Sequence, residues 1–171
     1  MKKLVIIAAV GLGLALVGST AAGLRGYGSR SNPYPIHHSV SLPGSGGWHL
    51  KVNGVLRNAN AAVHAANEFN DPPARGHQFF MIRVTYVNRS KKSDEVFSLG
   101  ELAAVGRTNV AYDYSDDCGV LPHELDDMKT VFPGGHLTGN ICFSVRKKDV
   151  ASLELYYTPM FSEGDTFFAL R

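Results

Sequence analysis

The feature that most constrains this chain is a hydrophobic period of two. Trp48, Leu50 and Val52 alternate with His49, Lys51 and Asn53. Successive side chains on a strand point to opposite faces, so this pattern makes one face apolar and the other polar. Phe80, Ile82, Val84 and Tyr86 repeat the pattern within residues 78–88. Leu137, Gly139, Ile141, Phe143 and Val145 do so after the turn signal Pro133-Gly134-Gly135. Leu153, Leu155 and Tyr157 do so again before Pro159. Residues 96–105 and 109–114 alternate more weakly, and 166–170 reads as a last short strand. Seven or eight short strands separated by turn residues predict an all-β, antiparallel sandwich. Its inner face should hold Trp48, Leu50, Val52, Phe80, Ile82, Val84, Tyr86, Ile141, Phe143 and Leu155. Residues 58–69 break the period. They are rich in alanine, and an asparagine stands where it can cap a helical turn. Pro72 and Pro73 lie beyond, where a helix cannot continue.

The N-terminus carries an address. Met1-Lys2-Lys3 is basic, residues 4–17 are uncharged and mostly apolar, and Gly18-Ser19-Thr20-Ala21-Ala22 are small. This is the order of a secretory signal, with cleavage expected after Ala21 or Ala22. No cysteine stands near that junction, so a lipoprotein is not expected. The competing reading is an uncleaved anchor. Residues 4–24 are uncharged and, at about 1.5 Å per residue, just span a bilayer core. That is the membrane association expected if cleavage fails. The division is therefore a signal peptide at 1–22, a Gly-, Ser-, Pro- and Arg-rich linker or loose arm at 23–35, and a sandwich domain at 36–171. Both readings put the domain outside the cytoplasm, secreted or held at the cell surface.

Charge narrows the partners. The chain has 17 Lys+Arg and 15 Asp+Glu. Losing Lys2 and Lys3 with the signal leaves 15 against 15, a neutral chain, so no nucleic-acid partner is expected. Arg146-Lys147-Lys148 is a basic triplet followed directly by Asp149, which reads as a turn between strands.

No set of residues spells out a reaction, so no catalytic residue and no cofactor are expected. His37 and His38 are adjacent and would point to opposite faces. His49, His64, His77, His123 and His136 lack metal-ligand spacing. Asp113, Asp116, Asp117, Glu124, Asp126 and Asp127 crowd one region, but not in the calcium-loop pattern. A metal site built on the histidines or the acidic loop remains the alternative to a plain binding module. No serine sits in a nucleophile elbow, including those of Gly28-Ser29-Arg30 and Gly44-Ser45-Gly46, and a hydrolase with a non-standard site ranks third. Asn88-Arg89-Ser90 matches a glycosylation sequon, a motif short enough to arise by chance.

Two features point beyond the core. Phe79, Met81 and Val87 are apolar yet lie on the face of their strand opposite the core set. A solvated face does not favour them. Either residues 58–69, the N-terminal arm or a partner covers them, which makes them a candidate interaction face. Cys118 follows a loop signal, Asp116-Asp117, and Cys142 has the outward parity on its strand. An outward cysteine can hold down a loop lying over that sheet, and an oxidising compartment would preserve the bond. The alternative is a buried, free Cys142 with an exposed Cys118.

Three blocks carry a family resemblance. They are Ala66-Asn67-Glu68-Phe69-Asn70-Asp71-Pro72-Pro73 with Gly76-His77-Gln78-Phe79-Phe80; Asp117-Cys118-Gly119-Val120-Leu121-Pro122; and Phe132-Pro133-Gly134-Gly135 with Gly139-Asn140-Ile141-Cys142-Phe143-Ser144-Val145. Together they resemble the secreted actinobacterial proteins that carry domain of unknown function 4352. From about Pro33 onward the resemblance implies an immunoglobulin-like β-sandwich and an extracellular location. It implies no catalytic residues. Trp48 precedes both cysteines, unlike the arrangement in antibody domains, so no inter-sheet disulfide packed on a tryptophan is expected. The expected function is a non-enzymatic module that binds a protein or a cell-envelope component.

Overall fold

The structure, a computed structural model, describes residues 26–114, 118–161 and 164–171. The signal peptide or anchor expected at the N-terminus lies outside them. Among the described residues no helix is long and apolar enough to cross a membrane.

The chain runs through β1 (Ser39–Ser41), β2 (Trp48–Leu56), α1 (Asn60–Ala66), β3 (His77–Asn88), β4 (Asp94–Glu95), β5 (Gly100–Val105), β6 (Ala111–Asp113), β7 (Thr130–Val131), β8 (His136–Arg146), β9 (Glu154–Pro159) and β10 (Thr166–Ala169). Eight strands form two four-stranded sheets, in the orders β1-β2-β3-β8 and β10-β9-β5-β6, and β4 pairs with β7 as a separate ribbon. Every strand pair is antiparallel. This is an immunoglobulin-like antiparallel β-sandwich. The ribbon accounts for strands beyond the predicted seven or eight; its two-residue strands are too short to show a period.

The predicted inner face is the observed core. Trp48, Leu50, Val52, Phe80, Ile82, Val84, Tyr86, Ile141, Phe143 and Leu155 are all buried in one cluster, joined by Tyr157 and Phe168 from the second sheet. β3 and β8 form the longest ladder, from His77 opposite Arg146 to Val87 opposite His136. β2 shifts register between Val52 and Gly54. The extra residue, Asn53, donates its side-chain amide to Thr85 at 2.7 Å, and Thr85 meets Thr138 across the outer face.

Two local expectations are corrected. The described part of the arm, residues 26–35, is docked rather than loose. Tyr34 N–H donates to the Phe167 carbonyl and Ala169 N–H to the Tyr34 carbonyl, both at 2.8 Å, along the edge of β10. The Arg30 guanidinium donates to the Gly106 carbonyl and pairs with Glu154 at 3.8 Å. An open strand edge offers unpaired backbone groups, and the arm satisfies them. The short helical turn expected within 58–69 is α1, but the expected asparagine cap is absent: the N-cap residue is Ala59, with no side-chain cap hydrogen bond. The Asn60 carboxamide is diverted to accept from the Phe79 N–H at 2.8 Å, which ties the helix to β3 instead.

Among the buried polar residues, Asn88 and Asp149 are fully enclosed. Asn88 donates to the Lys92 and Val131 carbonyls, so the sequon asparagine is a structural anchor with no free amide for a glycan. Asp149 accepts from the Thr108 N–H and hydroxyl and from the Tyr112 hydroxyl. Burial opposes its charge, but these hydrogen bonds outweigh that and hold its carboxyl below the usual range.

Replacing Ile82 or Phe143 with alanine removes a fully enclosed side chain from the meeting of the two sheets. Each should lower stability by about 3–5 kcal/mol, read as a lower urea midpoint at unchanged m-value.

Candidate functional site

β3 is apolar on both faces at its start. Phe80 and Ile82 face the sandwich core, whereas Phe79 and Met81 face outward into a second buried cluster with Ala59, Val63, Cys118 and Cys142. Helix α1 supplies Ala59 and Val63, and the loop after residue 117 supplies Cys118. Phe79 and Met81 are therefore closed over by the chain itself and are not an accessible interaction face. Val87, further along, is half-buried between His49 of β2 and His136 of β8 in the strand register. The three residues do not form one surface, because exposed Arg83 and polar Thr85 intervene.

Cys118 and Cys142 are bonded to one another, with Cα atoms 6.2 Å apart. Cys142 lies opposite Met81 and outside the sandwich core, as its parity predicts. The bridge is one of several ties that draw the three sequence blocks together. The Asn70 carboxamide donates to the Val63 and Val120 carbonyls and accepts from the Val120 N–H. Gly119, at φ +66°, leaves room for it; a Cβ there would sit 2.3 Å from Asn70 Oδ1. The Asn140 side chain donates to the Pro122 carbonyl, while its backbone pairs with His123 and Leu125. Leu125 then packs directly over Gly139, where a Cβ would meet its backbone at 2.4 Å. These blocks build a clamp that fastens one loop across β8. They contain no nucleophile and base in contact.

The clamped loop forms one wall of an open cleft. Two adjoining hollows, of about 280 and 490 Å³, share Phe97 and Tyr114. Leu121 and Leu125 line the first; Leu102, Pro159 and Met160 line the second. Phe97 and Met160 are 60% and 50% exposed, high for large apolar side chains beside one another on a surface. Backbone bonds fix both: Phe97 N–H to the Asp127 carbonyl and Met160 N–H to the Leu99 carbonyl. Carboxylates rim the cleft, with Glu101 and Asp113 on the second hollow and Glu124 and Asp127 on the first. Among the described residues no Lys or Arg lines either. At the junction the Tyr114 hydroxyl donates to the Asp127 carboxylate at 2.8 Å. Burial, and then this bond, push the phenol well above its ordinary range.

The other sequence candidates lie apart. Among the described residues no three His, Cys, Asp or Glu side chains converge as a metal site. Asp116 and Asp117 fall outside the described residues. The Ser45 hydroxyl donates to the Leu42 carbonyl in a tight turn, and the Ser29 hydroxyl meets Ser31. Phe97, Tyr114 and Met160 escape sequence reading because they sit at strand ends where alternation fails. The available signals were the adjacent pair Val96-Phe97 and the apolar run Pro159-Met160-Phe161, which continues past its strand.

An immunoglobulin-like sandwich with a disulfide-clamped loop beside an apolar, acid-rimmed cleft is the class that fold and site define. The chain belongs to the family described as Domain of unknown function (DUF4352), whose model matches residues 45–166. A conserved hypothetical protein from Bacillus anthracis is similar in structure, with a TM-score of 0.52, 14% identity, and 80% of this chain and 95% of that one covered. The secreted protein MPT63 from Mycobacterium tuberculosis gives 0.53 and 14%, covering 81% and 98%. An uncharacterized β-sandwich protein from Clostridium difficile gives 0.50 and 11%, covering 82% and 95%. At such identities the likeness is one of fold, and that fold is not confined to actinobacteria. No curated protein matches the sequence.

Two measurements check this site. Unreduced, denatured protein should show no reactive thiol, and the Cys118→Ala/Cys142→Ala variant should lose about 3.5 kcal/mol, the chain-entropy value for a loop of this length. The second is alkaline titration by tyrosinate absorbance. Burial pushes Tyr157 up to about 12 and raises Tyr86 and Tyr114 from an ordinary value of 10.0. The folded state then holds more protons than the unfolded state above pH 10. Stability should be complete below pH 10 and fall as pH rises through about 12, with tyrosinate absorbance appearing later in the folded than in the denatured protein.

Proposed function

We propose that this protein is a non-enzymatic, extracytoplasmic binding module. Its binding surface is the cleft at Phe97, Tyr114 and Met160, and its partner is a protein segment carrying both basic and apolar side chains. The carrying observation is the lining itself. Among the described residues, large apolar side chains stand exposed at the centre, four carboxylates rim them, and no Lys or Arg lines the cleft. Such a surface favours a cationic, apolar segment by charge complementarity and by burial of its exposed aromatic and thioether groups. The disulfide and the N-terminal signal pattern support a location outside the cytoplasm. The fold shared with a secreted mycobacterial protein accords with it.

The test uses a fluorescein-labelled peptide of alternating lysine and leucine, with a glutamate–leucine peptide as control, read by polarisation. The lysine peptide should bind saturably and the control should not. Phe97→Ser and Glu101→Gln, both at exposed positions, should each weaken binding tenfold or more at unchanged thermal midpoint. Equal binding of the two peptides, no saturation, or indifference to Phe97→Ser would overturn the reading.

A further inference from the structure

A second, independent feature lies where β3 begins and β8 ends. An open groove of about 400 Å³ is lined by Arg75, Gly76, His77, Arg146, Lys147 and Lys148. Two chain segments build it. His77 pairs with Arg146 in the ladder, and the Lys147 N–H donates to the Gly76 carbonyl at 3.1 Å, which holds the two turns side by side.

Four cationic side chains thus share one groove in a chain with 17 Lys and Arg against 15 Asp and Glu. The turn does not need them. It closes through backbone bonds, Asp149 N–H to the Arg146 carbonyl and Ser152 N–H to the Asp149 carbonyl. None of the four forms an ion pair among the described residues, where the one pair joins Arg30 to Glu154; Lys148 acts at longer range on Asp149, helping to hold its carboxyl low. Asp149 follows the triplet directly, but it is buried and its oxygens are taken by Thr108 and Tyr112. His77, also on the groove, has a buried Nδ1 with no hydrogen-bond partner. Like charges held this close repel one another, and an anion between them relieves the repulsion.

We propose that this groove is a binding site for an oxyanion of the phosphate class. Arg75 and Arg146 provide planar forks that match two oxygens of such a group, and Lys147 and Lys148 add point charges. Four cations suit a phosphate, with its multiple charged oxygens, better than a single carboxylate. The phosphate belongs either to a free ion or to a lipid headgroup, and the geometry of the site is the same for both.

Amide NMR of the full mature chain, titrated with inorganic phosphate against chloride at matched ionic strength, tests the proposal. Phosphate should shift the amides of residues 75–77 and 146–148 saturably, and chloride should not. The Arg75→Gln/Arg146→Gln variant, at exposed positions, should retain its thermal midpoint and lose affinity tenfold or more. Co-sedimentation with phosphatidylcholine vesicles carrying phosphatidylglycerol identifies the source. Sedimentation that phosphate reverses supports the headgroup; phosphate-induced shifts without sedimentation support the free ion. Absent shifts, equal shifts in chloride, or an indifferent variant would overturn the site. None of these results bears on the Phe97 cleft, whose peptide assay reads a different surface.

Discussion

A strand that is apolar on both faces must be covered on both. β3 meets this condition at its start, where Phe79 and Met81 face one way and Phe80 and Ile82 the other. One side is solved in the ordinary manner of a sandwich, by the opposing sheet. The other requires a lid, and the chain supplies it from two distant segments, helix α1 and the loop that follows residue 117. Further along β3 the outward positions become Arg83 and Thr85, and there the lid stops.

A lid seven helical residues long cannot hold itself in place, because so short a helix is marginal in water. Its fixings come from outside it. Asn60 is tied to the Phe79 backbone, and Asn70 bridges the helix end to Val120. The disulfide fastens the same loop to β8 at Cys142. The polar contacts satisfy backbone groups that the lid would otherwise bury unpaired. The loop then continues across β8, where Asn140 receives it and Gly139 leaves room for Leu125. Gly139 alternates with the core residues of its strand, and its missing side chain is replaced by one from elsewhere in the sequence.

The placement of the cleft follows from the same fastening. With the loop held on β8, Leu121, Leu125 and Asp127 become one wall, and the 3-10 turn Val96–Ser98 that follows β4 presents Phe97 opposite. Charge is distributed unevenly as a consequence. Carboxylates gather around this cleft while cations gather where β3 and β8 meet their turns, so a chain with a net charge of only +2 offers two surfaces of opposite sign. Net charge measures neither surface; what a partner meets is the local field.

The sequence by itself determined the sandwich, its inner face and the outward parity of Cys142. Those rest on a period of two, and on long strands that period is set by backbone geometry alone. It also showed that Phe79 and Met81 needed cover. It did not show what covered them, nor that residues 26–35 dock on β10, nor that Asn60 would tie the helix to Phe79. Each of those depends on which segments come together after the chain has folded back on itself. The cleft and the basic groove belong to the same category. Arg75 lies far from Arg146 along the chain, as Phe97 does from Met160, and only the pairing of β3 with β8 and of β5 with β9 makes them neighbours.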